Sequence, residues 1–257
     1  EFARLWCGGE NVAAVLKDAL MCCVPLVALG SVADVVPLVD ENRVFVARGL
    51  ATIHTVEMVG MRALLDDAQL DRGKRVDSSD VGFRLGPRLN AVGRLGHAAE
   101  AVELLITDDP ARARAIVRTL GELNEQRRAM DKSFFEQACE RVDADPALAA
   151  AGAIVMADAR WHEGVVGIVA SRIKDKLHRP TFVFAASSAP GKEHELKGSG
   201  RSIAGFHLRD ALDLVAKRAP GVLLRFGGHA MAAGCTIAEE HLDLFEETLN
   251  QVALEWL

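Results

Sequence analysis

The chain has 257 residues, half of them hydrophobic, and a formal net charge of −6, which allows one large core or two modest ones. No apolar run is expected to reach the roughly 18 residues of a bilayer span, so neither a transmembrane segment nor a membrane partner is expected. The acidic balance does not advertise nucleic-acid binding, although a phosphate groove needs only local positive charge.

Such charge is present locally: Arg84, Arg88 and Arg94 lie close in sequence, as do Arg172, Lys174, Lys176 and Arg179. Tyr is absent and aromatics make up 5% of the chain, so a grip on nucleic acid would rest on the backbone more than on base stacking. The N-terminus, Glu1-Phe2-Ala3-Arg4, lacks Met and any basic-then-apolar stretch. That predicts no signal peptide and a coding start further upstream. The cysteines Cys7, Cys22, Cys23, Cys139 and Cys235 form no C-x-x-C pair, which suits small core residues in a reducing cytoplasm.

In chain order, residues 11–24 have helical spacing with Asn11 placed as an N-cap. The apolar run 26–38 is interrupted by Gly30, Ser31 and Asp34 and stops near Pro37. Residues 43–65 read as helix, and DRGKRVDSS (71–79) as a turn or linker. Pro110, preceded by Asp109, fits the first turn of a helix over about 110–142, a rod of roughly 50 Å. After Asp145-Pro146 the pattern alternates. A strand is expected at 153–156, a helix at 165–177, a strand at 181–185, a polar loop at 187–198, a helix at 207–218, a strand at 231–237 and a closing helix at 239–257.

Four stretches offer chemistry. Asp34 is a single carboxylate in an apolar run, costly to bury unless capped, ion-paired or bound to a divalent cation. Gly86–His97 reads as a non-regular path carrying Arg88, Asn90 and Arg94, donors suited to phosphate or simply solvated on a surface. Trp161–Arg172 leads from a strand through a Gly-containing turn into a helix, whose N-terminus is a ready anion site beside His162; a structural His is the alternative. Finally Gly198-Ser199-Gly200-Arg201-Ser202 and Gly227-Gly228-His229 read as Gly-rich segments, either a phosphate cradle or tight turns. G-x-G-x-x-G and Walker patterns are absent, so no nucleotide cofactor is indicated.

LVALGSVADVVPL, PRLNAVGRLG, WHEGVVGIVASR, KGSGRS and FGGHAMAAG, in this order, resemble the later motifs of the RecJ family within the DHH phosphoesterase superfamily. The resemblance implies an α/β chain. The C-terminal part of a DHH domain and a helical segment would occupy 1–97, connecting helices 98–145, and a compact DHHA1 substrate-binding domain 146–257. It implies a 5′-to-3′ exonuclease specific for single-stranded DNA, active in repair and recombination in the cytoplasm, with two Mn²⁺ or Mg²⁺ ions. Asp34 then corresponds to a metal-binding, catalytic aspartate. Arg88, Asn90 and Arg94 fall at the edge of the cleft. His162, Ser199, Gly200, Arg201, Ser202, Gly227, Gly228 and His229 fall in substrate-binding motifs, with Ser199 and Arg201 on the 5′-terminal phosphate and His229 also catalytic.

The resemblance places the family's D-x-D and Asp-His-His motifs before the segment where these residues begin, and its OB-fold after the DHHA1 segment. The chain by itself is therefore expected to cleave poorly or not at all. Two alternatives stay open: a DHH–DHHA1 phosphoesterase acting on short oligonucleotides, and a non-catalytic nucleic-acid-binding module.

Overall fold

The computed structural model describes residues 2–9, 11–70 and 72–257. Its contacts divide the chain into two units, Glu1–Glu125 and Gln126–Leu257.

The first unit is helical: α1 (Phe2–Trp6), α2 (Ala14–Ala33), α3 (Asp40–Thr52), α4 (Val59–Asp67), the short α5 (Ser78–Asp80), a π-turn (Val81–Leu85), α6 (Gly86–Leu95) and α7 (Ala99–Ile106). The first half of α8 (Pro110–Ala144) completes it. Leu29, Ile53, Met61, Leu64, Val81, Leu85, Val92, Leu104, Ile116 and Leu120 form its buried core.

Several expectations are corrected here. The helix expected from Asn11 begins at Ala14 after Ala13, which makes no side-chain cap. It also does not end before Pro25. Pro25 is buried inside α2, where its missing N–H costs one helical bond without breaking the helix. The two apolar runs thus join into a 20-residue helix of mean hydropathy 1.8, long and apolar enough to cross a membrane by length and composition. Within its unit it packs on α3 and the π-turn, burying Pro25, Ala28 and Leu29 and leaving most of its length half-buried or exposed.

The helix expected over 43–65 is two helices. The hydroxyls of Thr52 and Thr55 donate back to the carbonyls of Arg48 (2.9 Å) and Thr52 (2.7 Å), a local competition that ends α3. Asp71, the first residue of the expected turn at 71–79, lies outside the described residues; Ser78 already begins α5.

Gly86–His97, expected to be irregular, is helical to Leu95. Asp77 and Asp80 form a reciprocal capping box (3.0 and 3.2 Å), the start signal that satisfies two orphan N–H groups. The π-turn then absorbs one residue, and Pro87 falls at the start of α6, where a missing N–H matters least. Gly86 fits tightly, since a Cβ there would lie 3.0 Å from the Val81 carbonyl and 3.2 Å from Ala33 Cβ.

The long helix is observed as α8, Pro110–Ala144. Asp109 Oδ1 accepts the Ala111 N–H at 2.8 Å, as the acid before Pro110 suggests. The division between units falls inside this helix.

The second unit continues with α9 (Pro146–Ala150), β1 (Ile154–Ala157), α10 (Val166–Leu177), β2 (Thr181–Ala186), β3 (Glu195–Arg201), α11 (Leu208–Arg218), β4 (Arg225–Gly228), β5 (Ala232–Ala238), a 3₁₀ turn (Glu239–His241) and α12 (Leu242–Trp256). The sheet order is β1-β2-β3-β5-β4. β1 and β2 are parallel, joined through α10, and the other pairs are antiparallel.

Phe182, Phe184, Leu196, Cys235 and Ile237 turn one face of the sheet toward Leu212 of α11 and Phe245 and Leu249 of α12. Phe245 meets both Phe rings edge-on, with centroids 5.3 and 5.2 Å apart, a favoured aromatic geometry. The expected loop over 187–198 is shorter than read, because Glu195 already begins β3.

Candidate phosphate-binding site

β3 carries the site by alternation, since successive side chains point to opposite faces. Gly198 and Gly200 pair with Phe184 and Phe182, and a Cβ on either glycine would run into the facing ring. Lys197, Ser199 and Arg201 therefore point the other way, toward α10. The Gly-rich segment expected as a cradle or turn is thus an interior strand, and its glycines serve the core. Ser202 is 1% exposed and donates to the Phe206 carbonyl at 2.5 Å, so its hydroxyl is committed to the fold.

On the α10 side, a Cβ at Gly167 would lie 3.1 Å from Arg201 Nη2 and 3.4 Å from Ser199 Oγ. A glycine in the first turn of α10 lets Ser199 and Arg201 lie against the helix's positive end. Arg201 is further fixed by a 2.8 Å bond from Nη1 to the Gly200 carbonyl. In the preceding turn the His162 carbonyl accepts the N–H groups of Val165 (2.9 Å) and Val166 (3.2 Å). His162 Nδ1 accepts the Gly164 N–H at 3.0 Å, which leaves Nε2 to carry the proton in the neutral ring.

Two residues of this site were not singled out from sequence. Glu163 forms an ion pair with Lys197 Nζ at 2.7 Å and accepts from the Ser188 hydroxyl at 2.6 Å. Burial pushes its carboxyl up, but the Lys197 and Ser188 bonds outweigh that and hold it below the usual carboxylate range. The signal that would have found Lys197 is the period-two alternation Lys197, Ser199, Arg201.

Beside Ser199 the sheet continues into glycine. Ser199 pairs with Gly234, and Gly234 with Gly227; no atom lies within 4 Å of where a Gly227 Cβ would stand. Arg201 pairs with Ala232, whose carbonyl accepts the His229 N–H at 2.8 Å. His229 therefore sits at the turn of the β4–β5 hairpin, in the same row as Arg201. The turn is pinned by the N–H groups of Ser202 and Leu208, which donate to the Met231 (3.0 Å) and Ala230 (2.9 Å) carbonyls. Gly228 is held at φ +141° against Ala233, where only glycine fits.

In the first unit Asp34 is exposed at the C-terminus of α2, so the argument from the cost of burial does not apply to it. Val36 N–H donates to the Ser31 carbonyl (3.0 Å) and Val35 N–H to the Val32 carbonyl (3.1 Å), the bonds of a Schellman ending. Val35 occupies its left-handed position at φ 56°.

Arg88 donates to Asp67 at 2.8 Å and to the Arg84 carbonyl at 2.7 Å. Arg84 in turn holds Asp80 (3.0 Å) and the Ala68 and Gln69 carbonyls. Asn90 and Arg94 are exposed one turn apart on α6, on a face turned away from Arg88. The three candidates thus split between a structural ion pair and an open helix face.

Among the described residues no group of three His, Cys, Asp or Glu side chains gathers as a metal site. One carboxylate, Asp34, does not fit a two-ion centre.

The DHHA1 domain family matches residues 149–255. The single-stranded-DNA-specific exonuclease RecJ of Dickeya dadantii is 45% identical over 236 residues, covering 90% of this chain and 40% of that protein. Crystal structures of RecJ from Thermus thermophilus in complex with Mg²⁺ and with Mn²⁺ each superpose with a TM-score of 0.79 at 37% identity. They cover 92% of this chain and 35% and 33% of theirs. The chain thus spans about two fifths or less of the length of these relatives. Residues 149–255 thus match the DHHA1 domain family, and nine tenths of the chain is similar in sequence and fold to part of RecJ.

Proposed function

We propose that the second unit holds the 5′-terminal phosphate of single-stranded DNA for a 5′-to-3′ exonuclease of repair and recombination. The supporting observation is the packing of Ser199 and Arg201 against the first turn of α10 at Gly167. A hydroxyl, a guanidinium and a helix N-terminus converge there, and each favours an anion. Gly227 and Gly234 leave open surface beside Ser199 for the nucleotide that follows.

His162 and His229 serve as further donors at this site, His229 also near the scissile bond. Gly200, Ser202 and Gly228 support it through the fold. Asn90 and Arg94 contact the DNA backbone from α6, Arg88 only by holding that helix. Asp34 contributes one carboxylate to a Mn²⁺ or Mg²⁺ site whose other ligands do not gather among the described residues. α2 is, in this reading, a core helix of a DHH domain and not a membrane span, and the protein works in the cytoplasm.

The second reading, a non-catalytic binding module, describes the chain by itself, because the described residues gather no metal site. The test is to incubate the chain with Mn²⁺ and end-labelled single-stranded and duplex DNA. Binding of the single strand without shortening is expected. Shortening that Asp34→Ala abolishes would overturn the non-catalytic part, and equal affinity for duplex would overturn the substrate.

A further inference from the structure

Trp161, the residue before His162, is tied to α8. Its ring is 3% exposed, and its indole N–H donates to Gln137 Oε1 at 3.1 Å. The indole is a donor only, which fixes the amide with its oxygen toward it, and Gln137 Nε2 donates in turn to the Ser133 hydroxyl at 3.0 Å. The ring stacks on Phe134, centroids 5.9 Å apart, and the Arg141 guanidinium lies 5.1 Å from its centroid. Arg141 also donates to the Ala157 carbonyl at 2.8 Å and to the Asp158 carboxylate. Phe134, Gln137 and Arg141 are spaced three and four apart, one face of α8 over successive turns. All these groups lie in the second unit.

This face grips the chain where β1 ends, and the gripped segment leads directly into the site. Trp161 N–H donates to the Asp158 carbonyl (3.1 Å), and His162 then starts α10 through its own carbonyl. The segment needs such a hold, because Val165 at the N-cap of α10 offers no side-chain cap.

We infer that Gln137 and Trp161 are positioning residues for the phosphate site: the indole–amide bond sets the turn that aims His162 and lays Gly167 against Ser199 and Arg201. The inference rests on the phosphate reading of that site. It adds that the long helix, through Gln137, governs the geometry of the proposed phosphate ligands. A buried indole N–H needs an acceptor in either role, so the discriminating readout is the phosphate preference. Gln137→Leu removes the acceptor, whereas Gln137→Glu keeps a carboxylate oxygen in its place. Trp161→Phe keeps most of the apolar burial and loses the donor.

The experiment measures two things on the full chain and these three variants. One is the ratio of affinities for 5′-phosphorylated and 5′-hydroxyl single-stranded oligonucleotides. The other is the ¹⁵N signals of the His162 ring and the Gly164 and Gly167 amides without DNA. Gln137→Leu and Trp161→Phe are expected to lower the ratio about five-fold, the scale of one lost hydrogen bond, and to shift those signals. Gln137→Glu is expected to retain both.

Unchanged signals and ratio in Gln137→Leu and Trp161→Phe would overturn the inference, as would an equal loss in Gln137→Glu. If the unaltered chain shows no preference for the phosphate, the phosphate reading fails by itself, and the ¹⁵N signals still decide whether Gln137 sets the turn.

Discussion

Gly198 pairs across the β2–β3 ladder with Phe184, whose ring occupies the space a side chain at 198 would need. An interior strand glycine is ordinarily a weakness, but here the ring covers the gap. Gly200 stands in the same relation to Phe182. Gly198→Ala should therefore overpack the core, at a cost of about 1–3 kcal/mol. Urea unfolding read by circular dichroism checks this; a midpoint equal to that of the unaltered chain would refute the pairing.

That pair also explains what the sequence hid. KGSGR reads as a loop because two glycines in five residues argue against a strand, and only the Phe rings two strand positions apart in β2 compensate. The same alternation exposes Lys197, Ser199 and Arg201 as one face, so recognising the strand would have yielded the ion pair to Glu163. The helices α8, α10 and α12 and the strands β1, β2 and β5 were legible, since period and flanking prolines agreed. Two prolines lie where the reading and the structure part: the helix expected over 11–24 continues through Pro25, and the stretch with Pro87, expected as an irregular path, is helical. Buried packing around α2 and a π-turn before α6 accommodate them instead. Of the candidate site, the motif singled out Ser199 and Arg201, and the structure sets both against Gly167. The commitment of Ser202 to Phe206 and of Arg88 to Asp67 depends on contacts distant in sequence or on side-chain direction, which spacing does not reveal.

Val35, beside Asp34, is a β-branched residue at φ 56°, a left-handed position that costs roughly 1–2 kcal/mol for an L side chain. Its side chain is 86% exposed and makes little packing in return. Val35→Gly should stabilise the chain by about 1 kcal/mol, seen as a raised thermal midpoint. A lowered midpoint would contradict the strain assigned to Val35.

Asp158 is 7% exposed at its side chain. Hydrogen bonds from the Arg160 side chain hold its carboxyl far below the usual range against the opposing effect of burial, with the Arg160 N–H and Arg141 adding to the depression. A depressed carboxyl stabilises the fold above its unfolded value, near pH 4, and that contribution fades as pH falls through the folded value. Asp158→Asn should cost about 1–3 kcal/mol at pH 7, toward the lower end because Arg160 is 77% exposed. The gap to the unaltered chain should narrow as pH drops below about 4. Urea titrations at neutral and acidic pH test the sign; a gap that widens in acid would contradict it.

The central claim is that Arg201 and Ser199 read a terminal phosphate, and the most direct measurement is binding of one short single strand with and without its 5′-phosphate. The unaltered chain should prefer the phosphorylated strand, with affinity falling steeply as salt rises because phosphate contacts release counterions. Arg201→Ala should erase the preference and reduce the salt slope by roughly 0.7, one phosphate contact on a single strand. An undiminished preference in Arg201→Ala, or none in the unaltered chain, would contradict the account.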